Sequence, residues 1–194
     1  DVVGHGDGTD LFVADVSGHG VRAGVVMGMV KSAIRMGLRK RRDLSELLAD
    51  LNDVLEGTTK GELYATLVGL RIDGGGRVEY ALAGHHPFAH YCAASSELRR
   101  LGKPTFPLGL FDGRTYTTDT LTLGPGDLLA VWTDGLNETA DAGERELGHE
   151  PIERTLVRLW DRPLGEIRAA VLDLVAAHGA QADDRSLLLV RWRG

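Results

Sequence analysis

Three aspartates stand where apolar, strand-like runs end or begin. In LFVADVSGHGVRAG (11–24), Asp15 closes an apolar run, and Ser17, Gly18, His19 and Gly20 follow before a helical pattern starts. In LLAVWTDGLNE (128–138), Asp134 follows a second apolar run and precedes Gly135. Asp183 and Asp184 come just before a third run, SLLLVRW (186–192). In an antiparallel sheet the end of one strand lies beside the start of its neighbour, so acids placed this way can meet at a single edge. Gathered carboxylates resist ionising together unless a cation sits among them. Oxygen donors without cysteine or His-x-x-His spacing point to a hard ion, Mg²⁺ or Mn²⁺. One Asp-Gly is an ordinary turn; the three acids together carry the metal reading.

The elements that must position these acids can be read from hydrophobic period. Leu11 to Ala14 has the length of a buried strand, and residues 21–38 place Val26, Met29, Val30, Ala33 and Ile34 at helical spacing. Asp43 and Glu46 form a capping-box pair ahead of Leu44, Leu47, Leu48, Leu51, Val54 and Leu55, which predicts a second helix. The two helices are expected to pair antiparallel across Arg39–Arg42, a basic run read as a solvated helix end whose cations favour the C-terminal dipole. YATLVGLRI (64–72) and RVEYALAG (77–84) read as a hairpin turning at Asp73–Gly76. PFAHYC (87–92) and ELRRL (97–101) are expected to continue as a meander, and YTTDTLTL (116–123) leads through GPGD into LLAVWTD. Helices follow at Pro151–Trp160 and around Leu164, Ile167, Val171, Leu174 and Val175, with a polar loop at Asp141–Glu150 before them; SLLLVRW closes the chain as a strand. Helices bracketing hairpin-joined strands make the fold class α+β with antiparallel sheets.

Composition narrows the function classes. A length of 194 residues suits one domain, and a net charge of −6 argues against non-specific nucleic-acid binding, so an anionic substrate must meet a local cation. The single cysteine, Cys92, excludes an internal disulfide and a thiolate zinc cluster, and fits a reducing cytosol. No apolar run approaches the roughly 20 residues that span a bilayer, so no membrane insertion is expected. The first residue is Asp1, so the chain is read as an excerpt of a longer protein.

DVSGHG, AGHHP, PLGL, GDLLAVWTDGLNE and DDRSLLLV occur in this order, and the chain resembles the metal-dependent protein phosphatases of the type 2C (PPM) family, in its SpoIIE/RsbU-like bacterial branch. The resemblance covers essentially all 194 residues as a single phosphatase domain. It implies an α-β-β-α sandwich of two mainly antiparallel sheets flanked by helix pairs, around a centre of two ions, Mn²⁺ or Mg²⁺. Asp15 would bridge the ions, Val16 would offer its backbone carbonyl, and Asp134 and Asp183 would be further ligands, with Asp184 as the alternate. Metal-bound water would attack phosphorus, so no protein nucleophile is implied and Ser17 is not part of a hydrolase triad. The implied substrate is a phosphoserine or phosphothreonine protein, an anti-sigma-factor antagonist, with an upstream sensor domain acting through the helices that flank the site. The resemblance also implies a ligand aspartate in a Gly-Gly-Asp segment, with its strand, ahead of Asp1; Asp1 matches a later acid of that segment. A second reading is therefore a phosphatase-fold binding or scaffold module with incomplete metal loading, and a third is a hydrolase of small phosphate esters.

Other residues have plainer readings beside the functional one. His19 is a candidate to assist as general acid or phosphate donor. His85 and His86 read as turn and packing residues, and Glu138 as either a support to the site or an exposed loop acid. Asp10, Asp73 and Asp127 read as turn acids, and Trp132 and Trp192 as core.

Overall fold

Twelve of the fourteen regular elements among the described residues follow the apolar periods closely enough to be named from them, the first strand and a one-turn helix being the exceptions, but their distribution between sheets does not. The computed structural model describes residues 1–6, 8–40 and 42–194; Arg41, part of the basic run, lies outside the described residues. The chain forms two compact units, residues 1–87 with 102–122, and residues 88–101 with 123–194.

The first unit holds a five-stranded antiparallel sheet in the order β1-β2-β3-β4-β7, with β1 at Val2–His5, β2 at Gly8–Val16, β3 at Ala65–Ile72, β4 at Arg77–Ala83 and β7 at Asp119–Thr122. Helices α1 (Gly20–Arg39) and α2 (Leu44–Thr59) supply its apolar layer. Phe12, Ala14 and Val16 alternate along one face of β2 and join Val26, Val30 and Ile34 of α1 and Leu44, Leu48, Leu51 and Leu55 of α2 in one core. Asp43 occupies the N-cap position of α2 but makes no side-chain cap bond, and Glu46 turns to Arg42 at 3.3 Å, so the expected capping box does not form. Asn52, fully buried on α2, donates to the Phe111 carbonyl and accepts from the Gly109 N–H and Tyr116 hydroxyl, which ties the 107–116 segment to the helix.

The second unit holds a four-stranded antiparallel sheet, β6-β5-β8-β9, with β5 at Phe88–Cys92, β6 at Glu97–Leu101, β8 at Leu128–Trp132 and β9 at Leu187–Arg191. Helices α4 (His149–Arg158) and α5 (Leu164–His178) place Ile152, Leu156, Ile167, Val171 and Val175 against Tyr91, Leu128, Ala130 and Trp132. A one-turn helix, α3 (Asp134–Asn137), was not expected from the sequence, because four residues are too few to show a period.

The expected meander is therefore corrected. β5 and β6 do not continue the sheet of β4; they pair with β8, and the chain returns to the first sheet for β7. Pro87, which has no N–H to extend a ladder, stands immediately before β5, four residues beyond the end of β4. Trp132 is core, as expected, whereas Trp192 lies half-buried just beyond β9.

Two of the three expected turn acids are corrected as well. Asp73 is a turn acid and accepts from the N–H groups of Gly75 and Arg77. Asp10, by contrast, sits inside β2, 1% exposed, directly across from Arg71, whose Nε donates to it at 2.8 Å. Asp127 is 2% exposed; it meets His90 Nε2 at 2.9 Å and accepts from the N–H groups of Ala93 and Gly124. Burial alone would push the Asp127 carboxyl up; the His90 ring and the two N–H groups outweigh it and hold the acid below its ordinary range. A depressed carboxyl stabilises the fold above its unfolded pKa, and that contribution is lost as pH falls through the folded value. Asp127→Asn should lower unfolding stability by about 2 kcal/mol at neutral pH, as loss of a charged, buried hydrogen-bond partner does. The gap from wild type should close below about pH 4, which urea titrations at neutral and acid pH would measure.

Candidate metal centre

Asp15 lies near the end of β2, one residue before Val16, with Thr66 of β3 as its cross-strand partner. Val16 is buried opposite Ala65, and the following turn is fastened by Ser17, whose N–H donates to the Tyr64 carbonyl and whose hydroxyl accepts from the Tyr64 N–H. The Ser17 oxygen is thus part of the turn. Gly18 and Gly20 have φ of 84° and 80°, which side chains with a Cβ rarely adopt, and they let the chain leave the strand and enter α1 within four residues. His19 is the exposed N-cap residue of α1 and makes no side-chain cap bond. His85 and His86 stack at 4.3 Å between ring centroids, each with Nδ1 at a main-chain carbonyl of the next residue, in the role of turn residues.

In the second unit the strand-end argument holds in detail. β8 and β9 run antiparallel with Trp132 opposite Leu187, so the residues just after β8 face those just before β9. Asp134 and Asp183 each bring a carboxylate oxygen within 4.8 Å of the other. Asp134 Oδ1 is buried and has no hydrogen-bond partner. Asp183 Oδ1 accepts from the Asp184 N–H at 2.7 Å, and Asp184 itself is exposed and turns its carbonyl toward Thr133 Oγ1. A buried carboxylate oxygen without a donor, beside a second carboxylate, is an arrangement that a hard cation relieves. The local field shows in Glu138, whose carboxyl is pushed up first by burial and then by Asp134, Glu146 and Asp183.

A family model described as Stage II sporulation protein E (SpoIIE) matches residues 4–193. The chain belongs to the SpoIIE family. Among curated SpoIIE-like relatives, phosphoserine phosphatase RsbU of Bacillus subtilis is 27% identical over 131 residues, 66% of this chain and 39% of RsbU. The chain thus spans about two fifths of that relative's length. The solved RsbU and RsbW domains of Rv1364c from Mycobacterium tuberculosis superpose with a TM-score of 0.86 and 27% identity, covering 100% of this chain and 54% of that one. The PP2C phosphatase domain of SpoIIE from Bacillus subtilis superposes at 0.84 with 21% identity, covering 99% and 57%. The α+β class with two antiparallel sheets and paired helices is therefore the SpoIIE and PP2C fold.

Residues that hold the acid pair of this SpoIIE-family chain escaped the sequence reading. Thr133 donates through its hydroxyl to the Asp184 carbonyl at 3.2 Å and accepts from the Ser186 N–H at 3.0 Å, extending the β8–β9 ladder to the acids. Arg185 reaches the Gly135 carbonyl, Thr139 Oγ1 and the Gly179 carbonyl, bracing the segments on either side of the pair. A Cβ on Gly135 would fall inside contact distance of the Asp184 carbonyl oxygen, and one on Gly179 would meet the Ala140 carbonyl. The signals were present as Thr before Asp134, Gly after it and Arg after the double Asp, but each of these residue types is common in loops.

Proposed function

We propose that residues 1–194 act as one catalytic domain, a metal-dependent protein serine/threonine phosphatase, on a phosphoserine or phosphothreonine of a regulatory protein. The reading extends to an anti-sigma-factor antagonist as substrate, an upstream sensor domain in the full protein, and a reducing cytosol, for which the lone Cys92 argues. The carrying observation is the donorless, buried Asp134 oxygen beside Asp183 at the β8–β9 end. Membership of the SpoIIE family and the name of RsbU, a phosphoserine phosphatase, support the enzyme class.

In this reading Asp15, Asp134 and Asp183 hold Mn²⁺ or Mg²⁺, with the Val16 carbonyl as a further oxygen and Asp184 as the alternate acid. When bound, the ions supply Lewis acidity and an activated water. The chain's own residues hold the acid-bearing segments in place. Thr133 and Arg185 fix the Asp134 and Asp183 segments, and the Ser17–Tyr64 bonds fix the turn behind Asp15. In the same reading His19, exposed at the start of α1, donates to phosphate or to the leaving alcohol.

The test is phosphate release from a phosphoserine protein by the full-length protein and by residues 1–194, with Mn²⁺, with Mg²⁺ and with EDTA. Release should rise at least a hundredfold with metal and fall to background on chelation. Tight metal binding with no turnover of any phosphoprotein would instead favour a binding module on the same fold. Among the described residues no helix is long and apolar enough to cross a membrane.

A further inference from the structure

We propose that the first unit carries a second ligand site, a cavity for a small molecule bearing two or more phosphate or carboxylate groups. The cavity holds about 690 Å³ and is lined by Val3, His5, Asp10, Arg35, Arg39 and Arg71, with Leu38 and Gly6 completing it. That size falls within the roughly 300–1,000 Å³ usual for small-molecule sites. Among the described residues its lining carries three guanidinium groups and one carboxylate, in a chain whose net charge is −6.

The groups are held, not merely near. Asp10 is almost fully buried and binds Arg71 Nε at 2.8 Å and His5 Nε2 at 3.1 Å, one partner on each carboxylate oxygen. Arg71 also donates to the Arg42 carbonyl, so its plane is set from two sides. Arg35 takes the Asp1 carboxylate in a two-pronged contact at 2.7 and 2.9 Å, which shows the kind of group this guanidinium accepts. Among the described residues Arg39 forms no hydrogen bond or ion pair, and it lies one helical turn from Arg35 on α1, on the same cavity wall. The C-terminal end of a helix disfavours anions. Charge-assisted hydrogen bonds from arginines are individually stronger than that and outweigh it. Val3 and Leu38 supply apolar walls, which suit the carbon skeleton of a metabolite better than a bare ion. Asp10 projects from the opposite face of β2 to Asp15, five residues along a strand that advances about 3.3 Å per residue. The site is thus separate from the proposed metal centre, and neither reading depends on the other.

Calorimetric titration of the full-length protein in EDTA, with pyrophosphate, citrate and inorganic phosphate as probes, tests it. Pyrophosphate or citrate should bind more tightly than phosphate. Arg39→Glu should weaken that binding about tenfold or more, and Arg39→Lys should weaken it less. Asp134→Asn should leave it unchanged. A preference for pyrophosphate identifies phosphoanhydrides as the ligand class, and one for citrate identifies polycarboxylates. The proposal is overturned if neither binds, if Arg39→Glu binds as wild type does, or if Asp134→Asn removes the binding. Arg39 is exposed, so the variants keep the fold, and an unchanged melting temperature verifies this.

Discussion

Asp134→Asn should lower metal-dependent phosphate release by about a thousandfold while raising, not lowering, the stability of the metal-free protein. The two effects have one origin. Asparagine has nearly the same shape, so the turn after β8 survives, but the charge that a cation needs is gone. Loss of a ligand to a catalytic ion removes transition-state stabilisation worth about 4 kcal/mol, the scale of a strong electrostatic contribution in an active site. Without metal, the same change relieves a buried oxygen that has no donor and its repulsion with Asp183. That relief should be about 0.5–1 kcal/mol, seen as a higher melting temperature in EDTA and a lower one than wild type in excess Mn²⁺. Asp15→Asn should give the same loss of activity. Full activity in both variants would sink the metal assignment, even if the enzyme class survived.

Gly135→Ala should be the more damaging change to the fold. No rotamer can relieve the clash, because the added carbon meets the main-chain carbonyl of Asp184, not a side chain that could swing away. The two segments must part, and with them the Thr133–Asp184 and Arg185–Gly135 bonds. A loss of about 2–4 kcal/mol is expected, from overpacking together with broken hydrogen bonds. Metal affinity should fall with it, since Asp134 and Asp183 are carried on the separating backbones. Gly179→Ala makes a similar clash with Ala140, away from the acids, and should cost stability with a smaller loss of metal affinity. Chemical denaturation and metal titration of the two variants side by side would separate these effects. Equal metal affinity in wild type and Gly135→Ala would show that this close approach does not position the acids.

Part of this was legible in the residues alone. The Asp134–Asp183 pair followed from an apolar run ending in an acid and another beginning after one, because antiparallel pairing of β8 and β9 brings those positions together. That logic does not reach Asp15, because its strand belongs to the other sheet, and nothing in the alternation of residues 64–101 marks the change of sheet after β4. Asp10 and Asp127 resembled surface turn acids because a buried side-chain pair leaves no local trace: their partners Arg71 and His90 are 61 and 37 residues away. Helix α3 and the Thr133 and Arg185 braces were missed for a related reason, being single contacts outside any periodic pattern.

The passage of β5 and β6 into the second sheet also orders events during synthesis. The first sheet can close once β7 has emerged, at Thr122, while Phe88–Leu101 must wait as a hairpin for the central strand at Leu128–Trp132. Until then β5 presents an unpaired apolar edge, the form of chain most prone to pair with a neighbour. Neither unit is a continuous stretch of sequence, so no single cut of the chain yields one of them whole. The nascent protein must hold a finished sheet and an open hairpin together until β8 arrives.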